Sequence, residues 1–412
     1  MKQTWLGVLT LIMGVVVIAC GGGDDGPEAA SGTSTEVSGS GTSDDTAPLP
    51  DFGEEIDGAG AWDWTVTSLG QGTKPGIALS PDGDVLIAYL LERVGEAGFV
   101  NVASGRDGQF SIETLQRGYL YGPLDIAVGP GGAAVAFHNH DWEDGAIAVR
   151  GASGWDVQRI EHPGHDGWDG SLAFASDGAL HVLSIDPAQF GAPEGIEYAV
   201  NGGNDWSVEA VGSGPQPYEW GTDLVVDDGG VVHAVYFDAT ASDLIYARRD
   251  AGGWELSVVY EAGDAGRFPS VALDAAGRPH VAFVQSDTPI AEEGRQALNV
   301  VYGVSDGDAW AFETVATLDS VVTGFEGARR TVALQVGVDG PVIAAIDESR
   351  VVLADRTDGT WATQTVVESA GDPLQVVGLA LDANGAPHLT FATTTDNGPL
   401  DGEVWYLAPT AG

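Results

Sequence analysis

Two short stretches concentrate side chains that do chemistry, "HNHDWEDG" at residues 138–145 and "HPGHDGWDG" at 162–170. The first holds His138, His140, Asp141, Trp142 and Glu143; the second holds His162, His165, Asp166, Trp168 and Asp169. Half of the chain's eight histidines fall there. Neutral imidazole with carboxylate binds transition metals, so Zn²⁺ or Mn²⁺ is one reading. Exposed Trp and Tyr beside carboxylates instead offer a stacking and hydrogen-bonding surface for a sugar or peptide. A third reading makes these ordinary connecting loops whose aromatic residues pack on a neighbour. Other connections add Arg117, Tyr119 and Tyr121, then Tyr218, Glu219 and Trp220, then Arg267 and Phe268, then Phe325, Arg329 and Arg330.

What must position these loops is a tandem repeat at a spacing of roughly 40 to 50 residues. Each unit begins with a hairpin: "GIALSPDGDVLIAYL", "DIAVGPGGAAVAFHN", "SLAFASDGALHVLSI", "DLVVDDGGVVHAVYF", "SVALDAAGRPHVAFV", "VALQVGVDGPVIAAI" and "GLALDANGAPHLTFA". Asp-Gly, Asn-Gly and Gly-Gly supply the positive φ of the tight turn. A third strand follows, then a fourth led by an aromatic residue: Phe110, Trp155, Trp206, Trp254, Trp310 and Trp361. The last unit runs through "EVWYLAP" and ends without a fourth strand. "WTVTSL", from Trp64, fits the missing one. The sequence therefore predicts an all-β chain: a seven-bladed β-propeller of four-stranded blades over residues 59–412. Its N-terminal strand completes the last blade and removes an open edge.

In that ring the loops between second and third strands, and those between successive blades, open on one face, so the two His-rich stretches meet there. His181, His233, His280 and His388 occupy one equivalent position on second strands, where Leu86 and Val342 stand in other blades. That pattern predicts packing, and the strand-leading tryptophans are read as inter-blade core. "GVSDG" at 303–307 lacks the helix a nucleophile elbow needs. "DANGAP" has Ala386 and Thr393 where a calcium loop needs ligands, so it is a hairpin turn.

The formal net charge is −45, with 16 basic against 61 acidic residues. This excludes nucleic-acid binding through a basic face and disfavours anionic headgroups. Acidity keeps the domain soluble, and a cationic partner or Ca²⁺ is the alternative.

Residues 1–19 carry one charge, Lys2, and an apolar run too short for a membrane span, which marks a secretory signal. Val17, Ile18, Ala19 and Cys20 resemble the lipobox of bacterial lipoproteins. The resemblance implies cleavage before Cys20 and a diacylglyceryl thioether on its sulfur. With Gly21 next, it implies an anchor in the outer membrane or at the cell surface of a bacterial envelope. An ordinary signal with an incidental cysteine is the alternative. Cys20 is the only cysteine, so no disulfide braces the fold. Residues 20–58 read as a lipidated cysteine and an acidic Gly/Ser-rich tether.

The repeat, roughly S-x-A-L-D-x-x-G-x-P-H-V-A-F, then Y-A, then G-x-W, resembles secreted bacterial propellers of the sialidase-like or Asp-box-like group. "VSDGDAW" and "RTDGTW" are shortened forms of that box. Sialidases of the group use an arginine triad, a Tyr/Glu pair and an acid Asp, and first strands here carry almost no arginine, so no triad can be placed on them. The expectation is therefore a non-enzymatic, surface-anchored, monomeric binding or scaffold protein recognising a glycan or protein, without an obligatory cofactor. Its candidate ligand residues are His138, His140, Asp141, Trp142, His162, His165, Asp166, Trp168, Tyr218 and Trp220, with no catalytic residue assigned. A carbohydrate-active hydrolase or lyase is the alternative, and a purely structural envelope protein the third.

Overall fold

The computed structural model describes residues 62–92, 97–161, 167–186, 195–201, 205–213, 221–290, 294–323, 331–357, 359–369, 373–393 and 402–410, and every structural statement concerns these. Cys20, the tether, His162, His165, Asp166, Tyr218 and Trp220 lie outside them.

Seven four-stranded antiparallel sheets follow one another in chain order. Blades 1 to 6 span residues 73–118, 120–160, 168–213, 222–260, 264–323 and 332–368. Blade 7 takes three strands from 374–409 and its fourth, Trp64–Gln71, from the other end of the chain. Trp64 lies opposite Pro409 and Gln71 opposite Glu403, with one register shift between Ser68 and Gly70. The predicted closure is thus present.

Turn chemistry explains the hairpins. Asp382 Oδ1 accepts the amides of Asn384 and Ala386, both at 2.8 Å. Asp227 and Asp274 do the same for Gly229 and Val231, and for Ala276 and Arg278. A carboxylate that satisfies two turn amides fixes an Asx turn, and the glycine three residues on takes φ of 74° to 82°. "DANGAP" is such a turn.

Blades are joined by a repeated polar and aromatic stack. His181, His233, His280 and His388 place Nδ1 at 2.5 to 2.6 Å from the hydroxyls of Tyr198, Tyr246, Tyr302 and Tyr406. Each tyrosine meets, nearly edge-on at 5.1 to 5.2 Å, the aromatic leading the next blade's outer strand: Trp254, Trp310, Trp361 and Phe110. Burial pushes each His below its ordinary pKa and raises the tyrosines, Tyr198, Tyr246 and Tyr302 to about 12. These histidines are structural.

First strands line a central channel of about 850 Å³. Its carboxylates stitch blades together: Asp125 Oδ2 accepts the Leu172 amide at 2.8 Å, and Asp223 Oδ2 accepts the Val271 amide and the Ser270 hydroxyl, both at 2.9 Å.

Candidate functional site

At the loop-bearing end, first strands do not enter the sheet smoothly. Register slips between Thr73 and Gly76, Tyr121 and Asp125, Trp168 and Ser171, Arg267 and Ser270, and Gln375 and Val377. Within four of these bulges a non-glycine residue is left-handed: Lys74 (φ 53°), Asp169 (48°), Phe268 (51°) and Val376 (47°). Such a conformation costs on the order of 1 kcal/mol or more for a residue with a Cβ, and bulges re-aim side chains. The ring thus carries a strained collar around its mouth.

The collar and the blade 2 loop meet in one aromatic cluster. The Trp168 indole stacks on the His138 imidazole, centroids 4.1 Å apart and planes 22° apart. Tyr121 lies 5.6 Å from Trp168, and the His140 ring meets it edge-on at 5.4 Å. His138 and His140 are 6.0 Å apart. His138 is 1% exposed and Trp168 8%, whereas His140 is exposed and Tyr121 half-buried. Two glycines permit this meeting: a Cβ on Gly167 would stand 2.2 Å from Gly145 Cα.

Behind Tyr121 lies a buried ion pair that the sequence did not announce. Lys74 Nζ is 2.8 Å from Glu92 Oε1, both side chains 7% exposed, and 6.0 Å from the Tyr121 ring centroid. Thr73 Oγ1 donates to Glu92 Oε2 at 2.9 Å. Lys74 is one of only two lysines in the chain, the other being Lys2, and that rarity was the available signal.

The other sequence candidates hold the loop. Asp141 Oδ2 accepts the Tyr119 amide at 3.0 Å, and Asn139 Oδ1 accepts the Asp141 amide at 3.0 Å. Trp142 packs, partly buried, on the core between blades 1 and 2, and its carbonyl accepts from Arg159, which also pairs with Asp144. Arg267 is locked in a bidentate pair with Asp264 at 2.9 and 3.0 Å, both buried. Among the described residues no group of three His, Cys, Asp or Glu is placed to hold a metal ion. Phenol, two imidazoles and an indole remain: rings that offer hydrogen-bonding groups beside a stacking surface.

No protein-family model matches the sequence, and no curated protein is similar to it by sequence. Solved structures are similar in fold. An ulvan lyase of a polysaccharide-lyase family superposes with a TM-score of 0.56 at 12% identity, covering 84% of this chain and 96% of that one. The same kind of lyase bound to -[GlcA(1-4)Rha3S]- gives the same values. An α-L-arabinanase of Penicillium chrysogenum gives a TM-score of 0.47 at 13% identity, over 84% and 98% of the two chains. At these identities the likeness is one of fold. It nevertheless corrects the expectation of a non-enzymatic binding or scaffold protein, because propellers matching nearly the whole domain are polysaccharide-cleaving enzymes.

Proposed function

We propose that this chain is a carbohydrate-active enzyme that cleaves a uronate-bearing polysaccharide by β-elimination at the rim formed by Tyr121, His138, His140 and Trp168. The observation that carries this is the cluster itself: two imidazoles and a phenol within 5.4 to 6.4 Å of one another, centroid to centroid, at the mouth of the ring. Elimination requires a base to take the proton α to the sugar carboxyl group. That electron pair becomes the new C=C bond as the glycosidic C–O bond breaks, and an acid returns a proton to the departing oxygen. Imidazole and phenol serve both roles. Glycoside hydrolysis needs two opposed carboxyl groups. Three of the rim's carboxylates are instead engaged: Glu92 with Lys74 and Thr73, Asp141 with the Tyr119 amide, Asp144 with Arg159. His140, exposed, is assigned the proton transfer at substrate; Tyr121 is its partner, and Trp168 fixes the buried His138 by stacking.

The lipobox-like segment ending at Cys20 and the acidic tether support an enzyme held on a bacterial envelope, facing polymers too large to enter the cell.

The test is incubation with uronate-containing and neutral polysaccharides, following ultraviolet absorbance of the new double bond together with reducing ends. Both should rise in step on a uronate polymer. Tyr121→Phe and His140→Ala should each lower kcat by roughly 10²- to 10⁴-fold without lowering the melting temperature. Reducing ends without absorbance would assign hydrolysis and overturn elimination; no cleavage of any polymer would overturn the enzyme.

A further inference from the structure

Beside the aromatic cluster stands a cation that the ion-pair chemistry of this chain leaves over. Among the described residues every other basic side chain is paired with a carboxylate: Lys74, Arg106, Arg150, Arg159, Arg248, Arg249, Arg267, Arg278, Arg295, Arg350 and Arg356. With 61 acidic residues against 16 basic ones, pairing is what chance alone would produce. Arg117, exposed at the rim end of the outer strand of blade 1, is the one described basic side chain with a ring and no carboxylate as its partner: its guanidinium lies over Phe99, 5.8 Å from the centroid. Stacking on an aromatic face holds the planar fork and leaves its N–H edge for an anion.

Two residues on, Tyr119 is 47% exposed, with the buried Gly118 between them. This short run is fastened to the site. The Tyr119 carbonyl accepts the His140 amide at 2.8 Å, and the Tyr119 amide donates to Asp141 Oδ2 at 3.0 Å. A Cβ on Gly118 would meet that same carboxylate oxygen at 2.7 Å. Tyr119 therefore borders His140 directly, and Arg117 stands two residues before it, on the strand Gln109–Gly118.

We propose that Arg117 and Tyr119 form a subsite for a sugar flanking the cleaved bond, with the guanidinium taking its oxyanion, a carboxylate or a sulfate ester, and the phenol ring stacking on its face. This rests on the lyase reading above and adds to it the anion-bearing neighbour. On a chain of net charge −45 the surrounding field repels polyanions, so a local, bidentate contact is what allows an acidic polymer to dwell at this rim.

The test separates binding from turnover. Tyr121→Phe is the parent, and its retention is measured by electrophoresis through gels containing polygalacturonate, dextran sulfate or neutral dextran. R117A in that parent should weaken retention by an anionic polymer about tenfold, R117K should recover part of it, and R106A, at the opposite end of its blade, should match the parent. Loss confined to polygalacturonate identifies a carboxylate subsite, and loss confined to dextran sulfate a sulfate one. Equal retention of R117A and parent, or no retention of the parent by either anionic polymer beyond dextran, overturns the subsite even where the native chain cleaves polysaccharide. Failure of the native chain to cleave any polymer overturns the lyase reading and leaves the retention result to stand for itself.

Discussion

Removing residues 1–71 deletes the strand Trp64–Gln71 and opens the ring, leaving the strand Glu403–Pro409 with an unpaired edge. Seven cross-strand pairs are lost. Their hydrogen bonds, worth about 1 kcal/mol each net, are more than offset by the 1 to 2 kcal/mol per residue of backbone entropy regained, so the ladder itself adds no net stability. What remains is side-chain burial. Leu69 is 8% exposed, and Trp64 and Val66 pack, half-buried, against the core that contains Trp405, Leu407 and Ile346. At about 1.5 to 3 kcal/mol for each such side chain, halved for the two that are half-buried, the closing strand supplies at most roughly 3 to 6 kcal/mol. That is a large share of a typical 5 to 15 kcal/mol stability. Entropy of unfolding scales with length, so for a domain of this size the melting temperature should fall by up to about 4 to 8 °C. Calorimetry of the truncated and intact chains measures it. A synthetic peptide of residues 59–72 should restore part of the loss in a concentration-dependent way, since it binds only the folded ring. A truncated chain melting within a degree of the intact one would refute the closure energetics argued here.

Two further outcomes follow from named contacts. Because burial holds His181, His233, His280 and His388 below their ordinary pKa, the unfolded chain takes up protons first as pH falls below about 6.5, and stability is lost there; Tyr198, Tyr246 and Tyr302, raised to about 12, ionise first in the unfolded chain above about pH 10, so stability is lost at that end too, by about 1.4 kcal/mol per tyrosine per pH unit. Melting temperatures at about pH 5, 8 and 11 should trace a dome, and a flat line would contradict the burial of these pairs. Gly167→Ala places a Cβ 2.2 Å from Gly145 Cα at a φ of 75°, so it should cost about 2 to 4 kcal/mol and blue- or red-shift the Trp168 fluorescence as its stack on His138 opens; an unchanged melt and spectrum would show that the loop gives way freely.

The ring was legible because two local signals repeat in phase: glycine-containing turns with an aspartate carboxylate on their amides, and an aromatic at the head of each outer strand. Each reports a physical need that recurs in every blade, so period and strand count could be read without long-range information. The site was legible only by residue type. His138, His140 and Trp168 stood out as unusual, and the structure stacks or abuts them. Asp141 and Trp142 stood out equally, and they fasten and pack the loop. Lys74 and Glu92 gave no motif, since they come from a different blade and meet Tyr121 only through the packing of neighbours. The collar was invisible for another reason: left-handed Lys74, Asp169, Phe268 and Val376 occupy positions where glycine would have been the sequence signal.

Where the repeat holds and where it breaks divides scaffold from site. Blades 3, 4, 5 and 7 carry the His and Tyr pair on their second and third strands. At the equivalent places, blade 1 has Leu86 and Val102, blade 2 has Ala134 and Ile147, and blade 6 has Val342 and Leu353. A group that recurs at one register in four blades, buried and bonded to a neighbour in each, answers a packing demand common to them. His138 answers no such demand: it sits four residues beyond Ala134 on the same strand, about 13 Å nearer the rim, in a blade that has given up the buried pair. The blade 2 histidines thus lie at the loop end while their counterparts elsewhere lie in the wall. The proposed chemistry, asymmetric in the ring, needs a blade whose interior is plain and whose mouth is not, and blade 2, flanked by Lys74 on one side and Trp168 on the other, has that form.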